Sequence, residues 1–366
     1  MKVAVITRHA ISNYGSLLQA IATQRILEKC GCQCEIIDYV RRDEEPNNWE
    51  KTTLLQKKAW NNNLIKRLCY LSIRQPESIL AGGKFQKMRQ QYLKLTTRYS
   101  NYKELKIQVP VADIYMTGSD QVWGPVACGE YDLAYFLSFL PEGKRKIAFG
   151  SSMGKMKLSA ETLQLFRENL SSYEHIAVRE KSAVEFLKKQ GISCQNVLDP
   201  TLLLTEEEWE AMTAPSKNNN YLLIYQLHSD KRVGDYAEKI AKKMGVQILR
   251  VSPSFHQFKR GGKFVYLPDV TEFLSLIKNA AFMVTDSFHG TAFAINFNIP
   301  FAEVLPDNGT SSRNVSILQI TGLEDRIVAT ADDVERLSKN VDFSFANKIL
   351  EQKRKESIEI LKQMLM

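Results

Sequence analysis

A chain of 366 residues with 44% hydrophobic content can bury a sizeable core, and at roughly 100–200 residues per domain it divides into two. Charged residues make up 25% and aromatics 10%, values that exclude a disordered or fibrous chain. Lysine plus arginine is 49 against 41 acidic residues, a formal net charge of +8.

The first predicted element is a buried strand over 2–7, which turns polar at Arg8 and His9, too soon for the core of a signal peptide. Ser16 is placed to cap a helix that carries Leu17, Leu18, Ala20, Ile21, Ile26 and Leu27 and stops at Gly31. A second strand follows over 35–39. Cys30, Cys32 and Cys34 alternate through this region without the CxxC pairs of a zinc knuckle. Structural thiols in a reducing cytoplasm are expected, with no metal.

From Arg41 to Pro110 the chain holds 15 basic and 6 acidic residues, so this segment carries the whole positive excess. Leu64, Ile65, Leu68, Cys69 and Leu71 recur at helical spacing, which predicts a basic helical insertion. Such a surface suits an anionic partner such as a phospholipid face or a lipid-linked diphosphate. No nucleic-acid module is recognisable, so nucleic acid is not an expected partner. No run approaches the ~20 apolar residues of a membrane span.

Further strands are predicted over 112–116, 146–149 and 176–178, with helices over 159–172 and 180–190. Strand and helix alternate, which implies a parallel sheet covered on both faces. The polar stretch Pro215–Asn220 reads as a linker. Beyond it come strands over 221–225, 246–251, 264–266 and 282–285, and helices over 232–244, 270–279 and 290–297. The expected division is therefore an N-terminal Rossmann-like domain over 1–214, a C-terminal one over 215–342, and a final helix over 343–366. Two such halves make a cleft at their strand C-termini.

Four strand ends carry residues suited to chemistry. Thr285-Asp286-Ser287-Phe288-His289-Gly290 turns from a buried strand into an apolar helix, which makes an anion site of its amides and a proton donor of His289. Gly15, in Asn13-Tyr14-Gly15-Ser16, allows close backbone approach after the first strand. Gly118-Ser119-Asp120-Gln121-Val122-Trp123 suits sugar recognition, with a ring to stack and polar groups for hydroxyls. Arg179 could hold a carboxylate or phosphate by a two-pronged bond, and Arg313 is a candidate of the same kind. Each of these also has a plain reading as a cap, turn or packed side chain.

Together these pieces resemble the polysaccharide pyruvyl transferase family. The resemblance rests on Asn13-Tyr14-Gly15 with Gln19, Gly118 to Trp123, Arg179-Glu180-Lys181-Ser182, Leu198-Asp199-Pro200-Thr201 and Ser287-Phe288-His289-Gly290-Thr291, in the family's order. Asn13-Tyr14-Gly15-Ser16 departs from the Asn-x-Gly-Asp form of many members. The resemblance implies an α/β fold like the two-domain GT-B glycosyltransferases, with the last helix crossing back to the first domain. It implies transfer of pyruvate from phosphoenolpyruvate, a co-substrate, to two hydroxyls of a sugar, with no cofactor and no metal. Donor binding falls to Arg179, Ser287, Phe288, His289, Gly290 and Arg313. Acceptor binding falls to Asn13, Tyr14, Gly15, Gln19, Gln121 and Trp123. His289 is the expected acid and Asp120 the expected base. A lipid-diphosphate carrier on the acceptor would give the basic segment a task, with peripheral contact at the inner face of the plasma membrane from a cytoplasmic enzyme. A GT-B glycosyltransferase using a nucleotide sugar is the alternative; a non-catalytic carbohydrate-binding subunit is a third reading.

Overall fold

The structure is a computed structural model that describes residues 1–126, 129–154, 158–216, 220–307, 311–330 and 333–366. The chain forms two compact α/β units, Met1–Pro200 with Glu359–Met366, and Thr201–Ile358.

The first unit is built on six parallel strands: β1 (Lys2–Ile6), β2 (Gln33–Ile36), β3 (Ile114–Thr117), β4 (Arg145–Ser151), β5 (His175–Val178) and β6 (Gln195–Asn196). Their spatial order is β2-β1-β3-β4-β5-β6. The order reverses at β1, so the β1/β3 border is a switch point where loops part to opposite faces and leave a crevice. Continuous apolar runs account for the central strands, since a sheet covered on both faces buries every position. Trp123, Phe136, Phe166 and Leu187 belong to the core against this sheet.

The helix after β1 runs Tyr14–Lys29. Its cap is Asn13, whose Oδ1 accepts from Gly15 N at 2.8 Å, so the expected Ser16 cap starts one turn too late. The basic segment is helical, as Pro46–Gln56, Lys58–Asn61, Leu64–Tyr92 and Tyr102–Ile107. It is tied to the unit where Phe85 packs on Tyr14 at 5.0 Å and Arg89 donates to Ala10 O at 2.9 Å.

The second unit holds five parallel strands: β7 (Tyr221–Tyr225), β8 (Gln247–Ser252), β9 (Lys263–Tyr266), β10 (Phe282–Thr285) and β11 (Phe301–Glu303). The order is β11-β10-β7-β8-β9, with its switch point between β7 and β10. Leu222, Ile224, Ile240 and Val284 lie in its core.

The unit boundary falls at Pro200/Thr201, not at 214/215. Residues 201–214 pack with the second unit because Trp209 meets Phe293 at 5.0 Å and Asn296 Nδ2 donates to Thr201 O and Leu204 O. A polar stretch therefore marks a surface loop here, not the seam. Residues 217–219 of the expected linker lie outside the described residues. The final helix, Ser344–Leu365, starts in the second unit and ends in the first, where Arg145 Nη2 reaches Met364 O. Among the described residues, no helix is long and apolar enough to cross a membrane.

Candidate active site

At the β1/β3 switch point of the first unit, short polar turns converge from residues more than a hundred positions apart. Thr7 Oγ1, just past β1, donates to Ser119 O at 2.7 Å and accepts from Gln19 Nε2 at 2.9 Å. Ser16 Oγ donates to Asp120 Oδ2 at 2.6 Å, and Gln121 N donates to Asp120 Oδ1 at 2.8 Å. Asp120 sits at φ +72°, a left-handed conformation that aspartate tolerates better than most residues. Strain of this kind persists where surrounding bonds over-determine it, and here Ser152 N also donates to Asp120 O.

Arg179 follows β5 and is buried. Its Nη1 donates to Asp199 Oδ2 at 2.5 Å, Nη2 lies 3.7 Å from Asp120 Oδ1, and Nε lies 3.6 Å from Glu180 Oε1. Ser119 Oγ donates to the same Asp199 oxygen at 2.9 Å. Burial works against the Arg179 charge, but Asp199, Glu180 and Asp120 outweigh it and hold the guanidinium above its ordinary range.

This geometry revises several expectations. Arg179 makes its short ionic bond to Asp199 and so ties together β3, β5 and the turn at Asp199. Both Asp120 oxygens accept hydrogen bonds, from Ser16 Oγ and Gln121 N, which fixes its carboxylate in the turn. Trp123 is fully buried, edge-on to Tyr173 with Nε1 donating to Tyr135 O, and offers no face for a sugar to stack on. Tyr14 and Gln19 are likewise fully buried. Asn13 and Gln121 keep partial exposure, and Gly15 lies buried in the first helical turn.

Sequence reasoning missed the charged group beside this turn. Arg8, the second residue past β1, donates to Glu44 at 2.9 Å; Arg41 donates to Asp43 and lies 3.7 Å from Asp132; Tyr39 donates to Asp132 at 2.9 Å. Arg8 is held above its usual range by Glu44, Tyr135 and Asp120 against the cost of burial. The available signal was a charge set directly after a buried strand.

In the second unit, the turn after β10 is arranged by its own side chains. Ser287 caps the helix Phe288–Asn296, with Oγ accepting from Gly290 N at 3.3 Å. Asp286 accepts from Leu227 N at 2.7 Å and His228 N at 2.8 Å, which joins the β7 and β10 ends at the switch point. Gly290 is required by space: a Cβ there would overlap Thr285 Oγ1. His289, the second residue of the helix, is 7% exposed, and its ring meets Phe288 edge-on at 5.1 Å. The Arg313 guanidinium lies 5.9 Å from the Phe288 ring, within cation–π reach. The structure thus brings Ser287, Phe288, His289, Gly290 and Arg313 together in one unit, and Asn13, Gly15, Asp120, Gln121 and Arg179 in the other.

Glu303, at the end of β11, is fully buried beneath this turn. It accepts from Asn314 Nδ2 at 2.6 Å and from Thr291 Oγ1. Burial, with Asp286 adding, pushes its carboxyl up to about 8 against the opposing effect of those two bonds. A protonated carboxyl there supports the helix from below without adding negative charge.

No curated protein matches the chain in sequence. Solved structures do resemble it: a putative UDP-N-acetylglucosamine 2-epimerase from Listeria monocytogenes has a TM-score of 0.52 at 12% identity, covering 99% of this chain and 90% of its own. S. aureus MnaA in its UDP co-structure gives 0.53 at 11%, covering 95% and 94%. UDP-GlcNAc 2-epimerase from Neisseria meningitidis, bound to UDP-GlcNAc, gives 0.51 at 11%, covering 100% and 99%. At such identity the likeness speaks for the fold alone, and it agrees with two Rossmann-like units of the GT-B-like kind. A model of the polysaccharide pyruvyl transferase family matches residues 13–307, a span that runs from the Asn13 cap through the Arg179 network to the His289 turn. With most of its length and both switch-point turns inside that match, the chain belongs to the polysaccharide pyruvyl transferase family, a family of enzymes.

Proposed function

We propose that the protein transfers pyruvate from phosphoenolpyruvate to two hydroxyls of a sugar in a polysaccharide or lipid-linked repeat unit. The product is a cyclic pyruvate ketal, and phosphate is released. The enol carbon takes a proton to become the methyl group, and the adjacent carbon becomes oxocarbenium-like. Two sugar oxygens bond to that carbon while its bond to the phosphate oxygen breaks. One hydroxyl proton balances the methyl group and the other leaves with phosphate.

The observation that carries this reading is the His289 turn, within a chain whose family match spans 13–307. A carboxylate and a phosphate on three carbons need donors in a small space. His289 and Arg313 are the side chains offered to them, with Phe288 between and the Ser287 cap fixing the turn. His289 serves as the acid or as the group that stabilises the departing phosphate. Arg179 serves by holding Ser119 and Asp120 at the β3 end, where Asn13 and Gln121 face the acceptor. The protein works with phosphoenolpyruvate as co-substrate and without a cofactor.

Calorimetric titration with phosphoenolpyruvate tests the reading, with UDP- and GDP-sugars as controls and His289→Ala beside the native chain. The expected result is phosphoenolpyruvate binding that His289→Ala weakens at least about tenfold, the loss of one charge-assisted contact. Saturable nucleotide-sugar binding without phosphoenolpyruvate binding would overturn it in favour of glycosyl transfer. Near-normal turnover by folded His289→Ala would remove His289 from its role.

A further inference from the structure

The helix Leu64–Tyr92 is the longest element of the basic segment. Each residue advances about 100° around a helix, so Leu64, Ile65, Leu68, Ile73, Ile79 and Leu80 share one half of its circumference. All six are between 46% and 71% exposed. Tyr70, Ala81 and Phe85 fall on the opposite half and are buried. The helix is therefore packed on one side and turns a second apolar side outward. Leu55 and Trp60, exposed on the two helices that pack against it, add to the apolar surface of this subdomain. An open, almost wholly apolar groove of about 560 Å³ runs between Leu71 and Leu80.

The exposed charges around this face have one sign. Within 46–80 the acidic residues are Glu50 and Glu77, and Arg74 pairs with both, at 3.6 and 2.8 Å. Lys51, Lys58, Lys66 and Arg67 are exposed. Exposed apolar surface on this scale marks an interaction site. A helix with an outward apolar side and flanking cations is built to lie in a lipid interface.

We propose that this face docks on an anionic lipid bilayer, with Leu64, Ile65, Leu68 and Ile79 at the acyl boundary and Lys58, Lys66 and Arg67 at headgroup phosphates. A second copy is the less fitting occupant, because two-fold pairing would set the same cations against each other. The proposal goes beyond pyruvyl transfer and stands without it, since it is tested with neither donor nor acceptor.

The test mixes the full chain with phosphatidylcholine vesicles, with and without about 30% phosphatidylglycerol, and follows co-sedimentation and tryptophan emission. Trp123 and Trp209 are fully buried, so a blue shift reports Trp49 and Trp60. Binding is expected on anionic vesicles, at least about tenfold weaker on neutral ones, and falling as salt rises. The triple variant Leu64→Ser, Ile65→Ser, Leu68→Ser should lose at least about tenfold in binding with an unchanged unfolding curve, because these side chains are exposed. Lys58→Glu, Lys66→Glu and Arg67→Glu together should erase the preference for anionic lipid. No sedimentation with either vesicle, or a serine variant that binds like the native chain, would overturn the proposal. So would a native dimer that the serine substitutions split, which would assign the face to a second copy.

Discussion

The two switch points solve one problem in opposite ways. Each gathers buried polar side chains at strand ends, where a charge is costly unless it is matched. At β1/β3 the matching is ionic: Arg179 is buried among Asp199, Glu180 and Asp120 and stays charged. In the second unit the carboxyl of Glu303, at the end of β11 beside β10, accepts from Thr291 and Asn314, and burial pushes it toward the neutral form. The first arrangement is rigid because its parts hold each other by charge. The second keeps Glu303 from adding negative charge beneath the turn that carries Asp286 and His289, which suits the anionic donor proposed for that turn.

The sharpest way to break the comparison is to remove the buried cation. Arg179→Ala leaves Asp199 and Glu180 buried without their partner, and breaking such a pair costs about 3–5 kcal/mol. Denaturant unfolding should show a loss of that size. Arg179→Ala with Asp199→Asn should recover part of it, because the neutral amide no longer needs the cation. An Arg179 that mainly held substrate would leave the unfolding curve almost unmoved and raise only KM.

Glu303 provides the next test, through pH. Its folded value of about 8 lies above its ordinary 4.5, so the native state binds the proton more tightly than the unfolded chain. Its stabilising contribution is then full below the ordinary value and is lost as pH rises through about 8. Between about pH 5 and about pH 8 the loss is roughly 3 kcal/mol. Glu303→Gln keeps the shape and removes the titration, so its stability should stay level over that window. The same slope in native and variant proteins would contradict a buried neutral Glu303.

Most strands and helices were legible because apolar runs bounded by polar turns leave little choice. β6 escaped notice because Gln195–Asn196 is only two residues, both polar. The turns at Asn13, Asp120, Arg179 and Ser287 were legible as strand ends. Their partners were not, since the Ser16–Asp120 and Ser119–Asp199 bonds join residues 104 and 80 positions apart. Residue type also misled: Trp123, Tyr14 and Gln19 have the chemistry of sugar contacts, but a local pattern carries no information on exposure. Asn13 against Ser16 as cap turned on a shift of three residues, the ordinary error of a helix boundary read from sequence.

The smallest expected effect separates the two turns by function. Asn13 and Ser287 do the same job, each accepting a backbone N–H in the first turn of its helix, from Gly15 at 2.8 Å and from Gly290 at 3.3 Å. Losing a cap of this kind costs about 1 kcal/mol, so Asn13→Ala and Ser287→Ala should shift the unfolding midpoint by similar, modest amounts. Their kinetics should diverge. Ser287→Ala loosens the turn that carries His289 and should raise the KM for phosphoenolpyruvate beyond what the stability change accounts for. Asn13→Ala should act on the acceptor and leave the donor KM close to the native value. Steady-state kinetics with each substrate varied in turn reads this directly, and an equal donor KM in both variants would mean that the Ser287 turn supports the helix without positioning the donor.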